Sequence, residues 1–158
     1  MDSNLITGFA RKLGTNTRAA TDQERGILND VGIPYSLSSI VTRQWFDSYS
    51  DIDGVEIYDI GSICEEVGAP FIKEVVPAGF LPIGKAGNGD LLAIDFSRSD
   101  FPVVYVRSHK SPRKSFVTVS DSLVAFLERG SRRSTIAEFL FRRPRFPRDS
   151  YDAEEAKA

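Results

Sequence analysis

The chain has 158 residues, 41% hydrophobic and 27% charged, with a net charge of −2. This is the composition of one globular domain with enough apolar material for its own core, and it excludes fibrous and disordered classes. A single cysteine, Cys64, leaves no internal disulfide, and with a single histidine, His109, it excludes an ordinary zinc site of four Cys/His ligands. No apolar run is long enough to span a bilayer. The opening MDSNLITGFARKLGTNT lacks the basic-then-apolar order of a secretory signal. A cytoplasmic protein is expected, with no membrane association, cofactor or metal.

In chain order, residues 1–20 read as a polar, weakly patterned segment. Residues 21–143 read as one α+β domain, and 144–158 as a polar tail. Thr21-Asp-Gln-Glu24 is a capping box, and Ile27, Leu28 and Val31 form the apolar stripe of the helix it opens. Gly32 and Pro34 end that helix. Residues 35–54 give no clear period; WFDSYSDIDG reads as a loop around Trp45 and Phe46. VEIYDI (55–60) has strand composition, SICEEVGA (62–69) is a helical turn, and PFIKEVVP (70–77) is extended or irregular.

From residue 79 onward the pattern sharpens. FLPI, DLLAIDF, PVVYVRS and FVTVS are short β-rich runs separated by Gly, Asn, Asp, Ser and Pro turns, as in an antiparallel meander. Leu92, Ile94 and Phe96 share one face of their strand. Val104 and Val106 lie opposite Val103, Tyr105 and Arg107. Ser120-Asp-Ser caps a helix whose stripe is Leu123, Phe126 and Leu127. Thr135-Ile-Ala-Glu138 is a second capping box, opening a helix that Pro144 ends. The expected architecture is α+β: an antiparallel sheet of about four to six strands, helices against one face or the edges, and the other face open.

GFLPIGKA (79–86) matches seven of eight positions of the phosphate-loop pattern, with Ala86 in place of the hydroxyl. The context argues against nucleotide binding. Residues 80–83 are too apolar to wrap a solvated triphosphate, and Asn88-Gly89 favours a hairpin turn where the pattern needs a helix. DSYSDIDGVE (47–56) superficially suggests a calcium loop, but Tyr49 and Ile60 stand where oxygen ligands are required. His109 lies in a turn with no nucleophile elbow anywhere in the chain, and Cys64 reads as a small buried apolar residue.

Phe80-Leu-Pro-Ile-Gly84, the Gly-Asn-Gly-Asp90 turn, Leu91-Leu-Ala-Ile-Asp95, Pro102-Val-Val-Tyr105, His109 and FVTVSDSLVAFLER together resemble the core of the SUKH superfamily. That superfamily contains bacterial immunity proteins of toxin systems and fungal regulators of cell-wall synthesis. The resemblance covers residues 79–128, and ILNDVGIP is similar to an entry motif of some branches. The family's Leu-Pro-x-x-Tyr helix and Asn-Gly-Gly turn have no counterpart. The resemblance implies a non-catalytic protein-binding domain, either an immunity protein that occludes a partner toxin or an intracellular regulatory scaffold.

Two alternatives come from the residues themselves. Asp90 and Asp95 bracket a strand, and paired carboxylates can perform acid–base chemistry. Residues 129–148 hold seven arginines against one acid, Glu138, a local charge of +6 against −8 elsewhere. Such a segment can contact nucleic-acid phosphates, although it lacks a base-stacking platform. The favoured assignment is a partner protein held on the open side of the 79–119 sheet through Asp95, Tyr105 and Arg107. Arg142, Arg143 and Arg145 then supply charge complementary to an acidic partner.

Overall fold

Leu5, Phe9 and Leu13 recur every four residues, with Ile6 and Ala10 beside them, and Ser3–Lys12 forms helix α1. The computed structural model describes residues 1, 3–52, 55–69, 74–86, 89–107 and 111–130. The second capping box, the 131–148 arginines and the tail lie outside these residues, as does His109. Ile6, Phe9 and Ala10 are buried in the main core, so the N-terminal stretch that reads as polar supplies part of the hydrophobic centre. The Phe9 ring lies 5.6 Å from Phe46 and 5.5 Å from Phe126.

After the short strand β1 (Thr17–Arg18), the capping box forms as its sequence demands. The Glu24 amide donates to Thr21 Oγ1 at 3.2 Å, and the Thr21 amide donates to Glu24 Oε1 at 2.9 Å. Helix α2 runs Asp22–Asp30. Gly32, at φ +86°, then turns the chain. Pro34 stops α2 and also starts α3 (Tyr35–Arg43), since its fixed φ and missing N–H suit a helix N-terminus. Strand β2 (Trp45–Phe46) pairs antiparallel with β1. Both aromatic side chains are buried, and Trp45 Nε1 donates to the Tyr58 carbonyl at 3.1 Å.

The acidic stretch around residue 50 is a hairpin. Strands β3 (Ser50–Ile52) and β4 (Val55–Ile57) pair directly. Helix α4 (Ile60–Val67) follows, capped by Asp59, whose carboxylate accepts from the Ser62 amide at 3.0 Å. Then come β5 (Phe80–Ala86), β6 (Leu91–Asp95), β7 (Val103–Val106), a 3₁₀ turn (Pro112–Lys114), β8 (Phe116–Ser120) and α5 (Leu123–Gly130). Strands β3 to β8 form one six-stranded antiparallel sheet in sequence order. No helix among the described residues is long and apolar enough to cross a membrane.

The phosphate-loop lookalike is strand from Phe80 to Ala86, with Gly79 in the turn before it. Gly84, Lys85 and Ala86 extend β5 beyond the expected FLPI because β4 pairs with them. A Cβ on Gly84 would collide with the Glu56 carbonyl, which explains the glycine at a close strand approach. The hairpin closes as the sequence indicates, with Ala86 donating to the Asp90 carbonyl at 2.8 Å and Gly89 at φ +90°.

The five helices among the described residues contribute to one core on one face of the sheet. Leu81, Ile83, Leu92, Ile94, Val103 and Tyr105 meet Leu28, Leu37, Ile63, Phe126 and their neighbours there. Each fully buried aliphatic or aromatic side chain contributes about 1.5–3 kcal/mol. The opposite face departs from expectation. Over its central strands it is not open: Phe80, Leu91, Ala93, Val104 and Val106 form a second buried cluster with Val75, flanked by Ala69, Ala78 and Phe116. With both faces apolar, polarity alternation along β7 does not mark a water-facing side.

Candidate functional site

Asp95 ends β6 on the second face, opposite Phe80. It is 2% exposed. The 3₁₀ turn brings Arg113 over it, and the guanidinium grips the carboxylate with two bonds, Nη1 to Oδ2 at 3.0 Å and Nη2 to Oδ1 at 2.8 Å. Ser97 donates to Oδ1 from its amide at 3.0 Å and from its hydroxyl at 2.6 Å. Arg113 also donates to the Ser97 hydroxyl and the Ala78 carbonyl, each at 2.7 Å. Its Cζ lies 4.2 Å above the Phe80 ring. Burial pushes the Asp95 pKa up, but the bonds from Arg113 and Ser97 and the guanidinium charge outweigh it and hold the carboxyl below its ordinary value. Asp95 therefore anchors the 111–115 segment to β5 and β6.

The other assigned residues are corrected in the same way. Tyr105 is 0% exposed and sits in the main core; Arg107 is 7% exposed. Strand β7 has a neighbour on each side and a packed layer on each face. A partner cannot reach Tyr105 as a surface anchor. Asp90 is fully buried in the β5–β6 turn. Five residues of extended chain separate it from Asp95, about 17 Å, so the two carboxylates do not share a site. Arg142, Arg143 and Arg145 lie outside the described residues.

Cys64 is buried, as its isolation in the sequence indicates. Burial first, then the nearby Glu24 charge, pushes its thiol up to about 11. That is the reverse of what a nucleophilic cysteine needs. Glu24 is likewise committed. Arg18 binds it at 2.7 and 2.9 Å and reaches Asp47 at 3.2 Å, tying α2 to the β1–β2 ribbon. The Arg18 bonds, opposed by burial and helped by Thr21, lower its pKa to about 2.

Two depressions and the most exposed aromatic among the described residues border α3, a helix the sequence does not announce. Tyr35 at its start is 84% exposed. Two depressions flank the helix. One of about 360 Å³ lies between α2 and α3 and is lined by Arg25, Asn29, Tyr35, Arg43 and three hydroxyl side chains. The other, about 200 Å³, lies between α1 and α3, with Met1, Ile6 and Ile40 giving it an apolar side. Arg43 and Ser39 border both. Arg43 is exposed and makes no hydrogen bond or ion pair with the described residues. The signal in the sequence was an aromatic and an arginine eight residues apart around a Leu37–Val41 pair, faint among so many serines.

No protein-family model matches the chain, and no curated protein matches it.

Proposed function

We propose that this chain is a non-catalytic protein-binding domain that acts by occupying a partner's surface. Two roles fit: an immunity protein neutralising a partner toxin, or an intracellular regulatory scaffold. The observation that carries the reading is the α3 surface, where a tyrosine 84% exposed lines one of two shallow depressions that share Ser39 and Arg43. Tyrosine is a frequent binding hot spot, since it offers a large rigid ring at small entropic cost. The engagement of Asp95, Glu24 and Cys64 in internal contacts supports it, because these reactive groups hold the fold together. The SUKH resemblance of residues 79–128 supports it independently.

Affinity capture from the native host, read by mass spectrometry, tests the proposal. Wild-type chain is expected to retain one protein in near-equal amount, and Tyr35→Ala to retain much less of it. Recovery of nucleic acid alone, or of no partner, overturns the reading. Expressing the captured protein alone separates the two roles. Arrested growth rescued by this chain identifies immunity, and unaffected growth identifies a scaffold.

A further inference from the structure

Arg25 and Arg43 face the same depression between α2 and α3, and no carboxylate lines it. Arg25 makes only a long, exposed contact to Asp22, at 3.4 Å, the kind of pair that holds its side chain weakly. The depression therefore presents two guanidiniums, one loosely held and one unengaged among the described residues.

The hydroxyls are held to different degrees. Ser38 Oγ donates to the Tyr35 carbonyl at 3.4 Å, Ser39 Oγ to the Ser36 carbonyl at 3.2 Å, and Thr42 Oγ1 to the Ser38 carbonyl at 2.6 Å. Only the Thr42 bond is short; the two serine bonds are long and weak, so Thr42 is the hydroxyl held firmly inside the helix. The charged donors for a ligand are the two guanidinium forks, with the Asn29 amide beside them. That set suits the two oxygens of a carboxylate, which an arginine fork matches. Across α3, the second depression has Met1 and Ile40 on one side and Ser36, Ser39 and Gln44 around the rest, and Arg43 borders both depressions.

We propose that α3 docks an acidic segment of a partner protein, with a carboxylate between Arg25 and Arg43 and a neighbouring apolar side chain beside Met1 and Ile40. This rests on the protein-binding reading above and names the partner's chemistry. It also places the contact away from the β-sheet.

The probe is the acetylated peptide Gly-Ser-Glu-Glu-Leu-Gly, titrated into the full isotope-labelled chain and followed by amide and arginine Nε–H NMR signals. A version with phosphoserine for both glutamates and one with lysine are run beside it. The glutamate peptide is expected to shift signals of residues 25, 29 and 35–43 saturably, at least as tightly as the phosphoserine peptide. The lysine peptide should not bind. Arg43→Glu should weaken binding at least tenfold while leaving the melting temperature unchanged, and added salt should weaken the wild-type complex through screening. Shifts elsewhere or absent, tighter binding of phosphoserine, or indifference to Arg43→Glu overturns the inference. If Arg43→Glu captures the host partner as well as wild type does, the protein-binding reading stands and this site falls. If the peptide binds here but the host yields no protein, the site stands and the broader reading falls.

Discussion

Arg113 and Arg43 are the same residue type in opposite circumstances. Arg113 spends its guanidinium on Asp95, Ser97 and the Ala78 carbonyl, above an aromatic ring. Arg43 is exposed at the end of α3 and makes no hydrogen bond or ion pair with the described residues. The difference is geometric. Arg113 sits where a buried carboxylate must be neutralised, because an unpaired charge there is costly. Arg43 meets no such requirement, so its charge is available. A charged side chain is informative about binding only once its internal obligations are known.

The contrast predicts an ordered series of effects. The reference point is the core, where Phe126 is 3% exposed and packs on Phe9; Phe126→Ala should cost about 3–5 kcal/mol in urea melts. Arg113→Ala should cost about 3 kcal/mol, the low end for a broken buried pair, because Arg113 keeps 36% of its side chain exposed. Adding Asp95→Asn to that variant should recover part of the loss, since no stranded charge remains; no recovery would mean the pair is not what Arg113 supports. Gly79→Ala should cost about 2 kcal/mol, as Gly79 sits at φ +98° and a Cβ there would lie 2.6 Å from Arg113 Nη2.

Acid sensitivity follows from the same anchors. Glu24 titrates at about 2 in the folded chain against an ordinary 4.5. The unfolded chain therefore binds the proton first, so this stabilisation is complete above pH 4.5 and drains as pH falls toward 2. Asp95, also lowered, adds a loss below its unfolded value of about 3.9. Arg18→Ala should flatten the decline of stability across that window relative to wild type. The smallest effect belongs to Arg43→Ala, within about 0.5 kcal/mol of wild type.

Much of the sheet was legible in the sequence, and little of the site. The β5–β6 hairpin, β7, β8, α2 and α5 follow from two-residue alternation, Asn-Gly turn chemistry and caps that point to the observed elements. Helix α1 carried its period in Leu5, Phe9 and Leu13, obscured by the polar residues between them. Helix α3 does not show itself because Ser and Thr are modest helix formers; its stability comes from the packing of Leu37 and Val41. Two-residue alternation puts Asp95 on the face away from Ile94, but its partner lies eighteen residues away across a turn, a pairing that no local pattern encodes. Alternation separates Tyr105 from Val104 and Val106 but does not say which face the helices cover: Tyr105 lies on the helix-packed face, and the cluster around Phe80 and Val75 closes the other.

The central claim, that Arg113 is structural while Arg25 and Arg43 are available for recognition, can be tested by arginine modification. Native chain is treated with a dicarbonyl reagent that condenses across the two terminal guanidinium nitrogens, and each site's rate is read by peptide mass spectrometry. A urea-unfolded sample supplies the reference rates. The account predicts that Arg25 and Arg43 react in the folded chain at rates near those references, while Arg113 is strongly protected because both terminal nitrogens are engaged by Asp95 and Ser97. Arg113 reacting as fast as Arg43 would contradict it.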